Sequence, residues 1–235
     1  MRVALSAESA TLTCIDPDVK SSRPYDTTRR KTRTRLTRLA VVDAARTLFL
    51  ERGYAATTIE AISDLSDTPP ATVYRLFSSK FGILTSLLDI AAVGDDQAIA
   101  MGDRPNVRDL LGHPDPRHQL SGFAALARDV MSRLAAVHQI LVSAASTDAD
   151  AAGLLAEHIR QRQVGQARIA RALAKAGALR PNLSERDAAD IIHALMSPEV
   201  YRLLVTDRRW SPERYGQWLG EILTHQLLPS PRPAG

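Results

Sequence analysis

The chain has 235 residues, a formal net charge of +4 and 45% hydrophobic content, enough for a small domain and a larger one with a substantial core. No apolar run approaches the length of a membrane span, and the single cysteine, Cys14, excludes an internal disulfide and fits a reducing compartment, so the cytoplasm is the expected location. The charge is uneven: residues 1–19 sum to −2, residues 20–80 to +6 and residues 81–235 to 0, which places the whole positive excess in one early segment, where a polyanion would be met.

Residues 1–28 are rich in Ser, Thr, Asp and Pro without a sustained apolar period and are read as a disordered leader. Arg29, Arg30, Lys31, Arg33, Arg35 and Arg38 follow as a basic arm. Such an arm can place arginines in a narrow minor groove or lie along phosphates, and plain phosphate attraction is the favoured reading. A first helix is expected from Thr34 to Arg52, with Leu39, Val42, Ala45 and Phe49 along one face and Gly53 supplying a left-handed stop. Thr57 and Glu60 have the spacing of a capping box at the start of a short second helix ending near Ser66. Asp67 tolerates the sharp turn that follows, Thr68 is placed as the cap of a third helix, and Pro69 as its first residue. Val73, Tyr74 and Phe77 make its apolar side. Two short helices joined by so tight a turn, behind a basic arm, read as a helix-turn-helix that binds double-stranded DNA.

Ala45, Leu48, Phe49, Gly53, Tyr54, the Ala56-Thr57-Thr58 triplet, Ile62, Thr72, Tyr74, Phe77 and Ser79-Lys80 together resemble the N-terminal domain of TetR-family transcriptional regulators, without a gap from Arg35 to Leu88. The resemblance implies that the third helix is the recognition helix, with Thr72 and Tyr74 at the DNA, Lys80 on a phosphate, and Thr57 and Thr58 on the backbone. The DNA-facing set is therefore Arg33, Arg35, Thr57, Thr58, Pro70, Thr72, Tyr74, Arg75 and Lys80. The turn departs from the family pattern, with Ser66-Asp67-Thr68-Pro69 where Ala-Gly-Val-Ser is usual. Pro69 and Pro70 remove two backbone donors, so this helix end is expected to be a poor phosphate cradle that offers apolar contact, for which thymine methyls are the natural partner.

Ser78 is placed as the cap of a fourth helix over residues 79–100, which by resemblance joins the DNA-binding head to an effector domain. A short helix is expected near Val107 to Leu111, then long amphipathic helices from Arg117 to Val142 and from about Ala149 to Ala176, the second ended by Gly177. Ser184 and Asp187 open the next helix, Pro198 interrupts it, and Ser211-Pro212-Glu213 open the last. No strand pattern occurs. The expectation is an all-α chain: leader 1–28, basic arm and three-helix DNA-binding domain 29–80, and a larger effector-binding and dimerisation domain 81–235.

A helix-turn-helix monomer covers few base pairs, and TetR-like chains pair through their last two helices. A homodimer on a palindromic operator is therefore expected, with Ile191, Leu195, Tyr215, Trp218, Leu219 and Ile222 at the interface; an intramolecular core is the alternative for the same stripe. The resemblance implies a small-molecule effector, for which Phe123, Met131, His138 and Ser143 are the pocket candidates. The six histidines are scattered, none pairs at metal-ligand spacing, and surface or satisfied core positions are the favoured reading. There is no Gly-x-Ser-x-Gly elbow and no acid–base constellation. Neither an enzyme, a cofactor, a metal nor a membrane partner is expected. The reading is a repressor released from its operator by a small molecule; the rivals are a DNA-binding regulator without an effector and an enzyme or carrier with a basic head.

Overall fold

The computed structural model describes residues 27–94 and 103–230, and every element among them is helical. The leader read at residues 1–28 lies outside the described residues except for its last two, which already belong to a helix. Contacts divide the chain into two compact units, residues 1–36 and residues 37–235. The described part of the first unit is the opening of helix α1 (Thr27–Arg52), on which Arg29, Arg30, Lys31, Arg33 and Arg35 are exposed. The basic arm is thus helical, and the helix begins seven residues before the expected Thr34.

Within the second unit, α1 continues with Val41, Val42, Ala45, Leu48 and Phe49 buried, and stops at Gly53, whose φ of +82° suits glycine. Helices α2 (Ile59–Ser66) and α3 (Pro70–Phe77) follow, then α4 (Lys80–Val93), closed by left-handed Gly94. The fourth helix was expected to reach residue 100; the segment after Gly94 lies outside the described residues. The short helix α5 (Pro105–Gly112) leads into α6 (Pro116–Ala145), a helix of 30 residues and so about 45 Å long. Its inner stripe includes Leu120, Phe123, Ala127, Met131, Leu134, Val137 and Leu141, at spacings of three and four. Both α4 and α10 (Pro212–Leu227) pack against this stripe, and α7 (Ala149–Lys175) packs against α8 (Glu185–Leu195). Gly220 brings α10 so near α6 that a β-carbon there would lie 3.6 Å from that of Ala124.

Local chemistry sets the boundaries. Asp115 accepts from the Arg117 N–H and Asp148 from those of Asp150 and Ala151, while Ser184 both accepts from the Asp187 N–H and donates to its carboxylate. The expected interruption at Pro198 is present: α9 (Pro198–Tyr201) restarts the chain after the Ser197 cap and passes into a π-helical turn, Arg202–Asp207. Three caps lie one residue beyond where the sequence placed them. Thr58, not Thr57, caps α2 and accepts from the Ala61 N–H at 3.2 Å. Pro69 stands at the N-cap of α3 in place of Thr68, and Ser79 caps α4 in place of Ser78, accepting from the Gly82 N–H at 3.1 Å. In each case the neighbouring residue is drawn into another bond or backbone state.

Candidate nucleic-acid interface

The turn between α2 and α3 is built from the inside. Asp67 takes the left-handed conformation (φ 48°, ψ 39°), as its place in the sequence suggested. The Thr68 N–H returns to the Ser63 carbonyl at 3.1 Å, and the buried Ser63 hydroxyl donates to the Thr68 carbonyl at 2.6 Å. The Thr68 hydroxyl is itself spent on the Ser66 carbonyl, which is why it does not cap α3. Val73 and Phe77 anchor α3 in the core.

The far end of α3 is held by Arg38 on α1. Its Nη1 donates to the Leu76 carbonyl at 2.8 Å and its Nη2 to the Ser86 hydroxyl at 3.2 Å, while the guanidinium carbon lies 4.5 Å from the centre of the Phe77 ring. A cation at a helix C-terminus also opposes the helix dipole favourably. Arg38, counted by the sequence among the cations of the arm, is thus a clamp on three helices. Ser78 has φ +65°, and Gly82 lies so close to the Phe77 carbonyl oxygen that a β-carbon would sit 2.0 Å from it. The α3–α4 corner therefore requires glycine.

What remains outward on α3 is Pro70, Ala71, Tyr74 and Arg75, with Thr72 half-buried beside them. Tyr74 is 48% exposed, an unusual place for an aromatic side chain without a partner surface. Pro69 and Pro70 supply no N–H, and those of Thr72 and Val73 turn back to the Pro69 carbonyl, so the helix start has little to offer a phosphate. Thr58 and Arg75 are exposed, as are Arg33 and Arg35 in the first unit. Ala71 and Ser78 are also exposed here and were not among the expected DNA-facing residues; Ala71, one turn before Arg75, could have been found by helical spacing alone.

Two residues of the expected DNA-facing set are engaged within the head. Thr57 is 1% exposed and its hydroxyl donates to the Gly53 carbonyl at 2.8 Å, closing the turn instead of facing a phosphate. Lys80 Nζ donates to the carbonyls of Tyr54 at 2.8 Å, Thr57 at 2.9 Å and Ala55 at 3.4 Å, and sits 4.4 Å from the centre of the Tyr54 ring. With its three protons so directed, it fastens the α1–α2 turn to the start of α4. Desolvation lowers its pKa. The Tyr54 phenol is pushed up to about 12, by burial first and then by the Asp148 carboxylate at the start of α7. The head is continuous with the body through α4, which packs against α6 and touches α7.

The other predicted sites divide similarly. Tyr215 and Leu219 are both 0% exposed within one protomer and cannot meet a partner; the side of α10 that carries them faces inward. Ile191, Leu195, Trp218 and Ile222 are half-buried. Trp218 stands 6.1 Å from Trp210 and 6.0 Å from Tyr215, centre to centre. Of the pocket candidates, Phe123, Met131 and His138 lie on the inner stripe of α6, whereas Ser143 is exposed and points away from it.

This arrangement defines a helix-turn-helix reader of duplex DNA: a clamped helix with an outward polar and aromatic face. Residues 41–87 match the model of the bacterial regulatory proteins of the tetR family. The chain is 31% identical over 176 residues to YdeS of Bacillus subtilis, an uncharacterised HTH-type transcriptional regulator, covering 72% of this chain and 79% of YdeS. It is 31% identical over 148 residues to the HTH-type transcriptional regulator TcmR of Streptomyces glaucescens, 62% of each chain. Among solved structures, the SmeT–triclosan complex superposes with a TM-score of 0.64 at 20% identity, covering 84% of this chain and 99% of SmeT. NalD, the secondary repressor of the MexAB-OprM multidrug efflux pump in Pseudomonas aeruginosa, superposes with a TM-score of 0.62 at 18% identity, covering 84% and 98%. The chain belongs to the TetR family and is a DNA-binding transcriptional regulator. Among the described residues no helix is long and apolar enough to cross a membrane.

Proposed function

We propose that the protein is a homodimeric repressor that occupies a palindromic operator and leaves it when a small molecule binds its helical body. The observation that carries this reading is the attachment of the DNA-reading head to that body through α4, whose start is fastened to the α1–α2 turn and whose length packs against α6 and α7. A ligand that shifts α4 would move the clamped α3 with it, because Arg38 ties α3 to α4 and Lys80 ties the start of α4 to the α1–α2 turn. NalD is a repressor and SmeT is known as a complex with triclosan, which supports repression and ligand response in a chain of this fold. Dimerisation would use the half-buried apolar residues Ile191, Leu195, Trp218 and Ile222 on α8 and α10. It would bring two copies of α3 to successive half-sites.

Binding-site selection from random duplex DNA, recovered at two salt concentrations, tests this function. A two-fold palindrome is the expected result, with thymine-rich positions beneath Pro69 and Pro70. Unrelated sequences lost together as salt rises would mean that the head binds by charge alone and would overturn the reading.

A further inference from the structure

The body contains a group of polar side chains that the DNA-binding function leaves unused. His138 of α6, 3% exposed, directs Nε2 to the Glu199 carboxylate at 3.1 Å. The His158 ring on α7 lies 6.0 Å from the His138 ring, centre to centre. Arg162, one turn further along α7, directs Nη2 to His193 Nε2 at 3.3 Å, and His193 Nδ1 meets Gln166 Oε1 at 2.7 Å. These bonds fix the proton positions. A carboxylate only accepts, so His138 carries its proton on Nε2 and presents a lone pair at Nδ1. Gln166 Oε1 likewise requires the proton of His193 on Nδ1, which leaves Nε2 to accept from Arg162.

Four buried nitrogens in this group have no hydrogen-bond partner: His138 Nδ1, His158 Nε2, and Nε and Nη1 of Arg162. Most buried polar atoms in a folded protein are partnered, and a buried guanidinium short of acceptors is costly. Burial lowers the pKa values of His138, His158 and Arg162 alike, so the histidines rest neutral and the half-buried Arg162 is the one cation of the group. Glu199, the one carboxylate, has a side chain 62% exposed and engaged with His138. Its field is screened by water more than that of the half-buried Arg162.

We propose that this cluster is the effector site, and that its ligand is a small monocarboxylic acid bearing a hydroxyl group. The carboxylate accepts from Arg162 Nε and Nη1, and the hydroxyl donates to His138 Nδ1. His158 Nε2 serves either oxygen according to its tautomer. A single cation beside an acidic residue matches one negative charge, not the two of a phosphate monoester. A metal ion is disfavoured by the guanidinium at the centre. The buried Leu134 and Leu141, a turn to either side of His138, offer an apolar surround for the carbon skeleton. The inference rests on the ligand-released repressor proposed above and names the chemistry of its trigger.

The test is a thermal-shift titration of the full chain, paired with operator-binding anisotropy. The probes are short-chain, medium-chain and aromatic monocarboxylates, with and without a hydroxyl, each set against its neutral amide. The acids are expected to stabilise the protein, the hydroxy acids most strongly, and the amides not at all. Arg162→Gln should weaken acid binding about tenfold or more, as loss of a charged hydrogen bond implies, while retaining operator binding without ligand. If that variant does not fold, His138→Phe gives the second reading: the preference for hydroxy acids over plain acids should vanish. Equal binding of acids and amides, undiminished acid binding by Arg162→Gln, or no response to any acid would overturn the site and imply that water satisfies the four nitrogens. Release of the operator by neutral or cationic compounds alone would overturn the site and leave the repressor reading standing. Acid binding at Arg162 without release would do the reverse.

Discussion

Arg38 offers the sharpest division between a residue that touches DNA and one that positions what does. Arg38→Met keeps the aliphatic stem and removes the guanidinium. Lost with it are a charged bond to the Leu76 carbonyl, a second to Ser86, and the contact with the Phe77 ring. A charged hydrogen bond contributes about 1.5–3 kcal/mol and a partly exposed cation–π contact about 0.5–1 kcal/mol. Because Arg38 retains access to water, screening takes each contribution below its lower end, and the total is about 2–3 kcal/mol. For a chain of this size that corresponds to a fall in melting temperature of roughly 4–12 °C. The assay pairs thermal unfolding with operator affinity measured over a series of salt concentrations, and uses Arg75→Met as comparison. Arg38→Met should lower stability and affinity but leave the salt slope unchanged. Arg75→Met should lower the slope by about one and leave stability within about 0.5 kcal/mol. A stable Arg38→Met protein whose slope falls by one would refute the clamp and return Arg38 to the phosphates.

Three further outcomes follow from the same geometry. His158 sits at about 4 in the folded chain because burial opposes its charge, with the neighbouring His138 and Arg162 adding to this. Its ordinary value is 6.5, so the unfolded chain takes up the proton first and stability is lost as pH falls from 6.5 towards 4. His158→Leu should recover about 2 kcal/mol of that loss at pH 5, as read from urea unfolding at pH 7.5 and 5; parallel curves would count against a neutral buried imidazole. Gly82→Ala forces the Phe77 carbonyl away from a β-carbon and should cost about 2 kcal/mol or more with loss of operator binding, and a wild-type melting temperature would disprove the close approach. Ile222→Asp should sediment as a folded monomer, whereas a persisting dimer would move the interface away from the outer side of α10.

The helix-turn-helix was legible in the sequence because its determinants are local. Gly53 and Asp67 each carry their backbone preference within one residue, and the spacing of Val41, Ala45, Leu48 and Phe49 repeats within two turns. The caps failed by one residue wherever the expected cap had to choose between ending a helix and a longer-range demand. Thr57 turns to Gly53, Thr68 engages Ser66 and Ser63, and Ser78 is held left-handed by the corner. Lys80 matched the family pattern, yet which carbonyls lie above it depends on the fold of the α1–α2 turn. The polar cluster was less legible because its members are separated by as many as 61 residues. One local signal was present: His158, Arg162 and Gln166 recur every four residues in the middle of a stripe that resumes as Ile169, Ala170 and Leu173, so a polar interval interrupts an apolar face.

The bonds that hold α3 all enter from behind it or through its backbone. Ser63 binds a carbonyl, Arg38 binds a carbonyl, and Val73 and Phe77 face the core. None engages the side chains of Ala71, Tyr74 or Arg75. An ancestral gene could therefore exchange those letters and acquire a new operator while the scaffold stayed as stable as before, so DNA preference and foldability are free to diverge under selection.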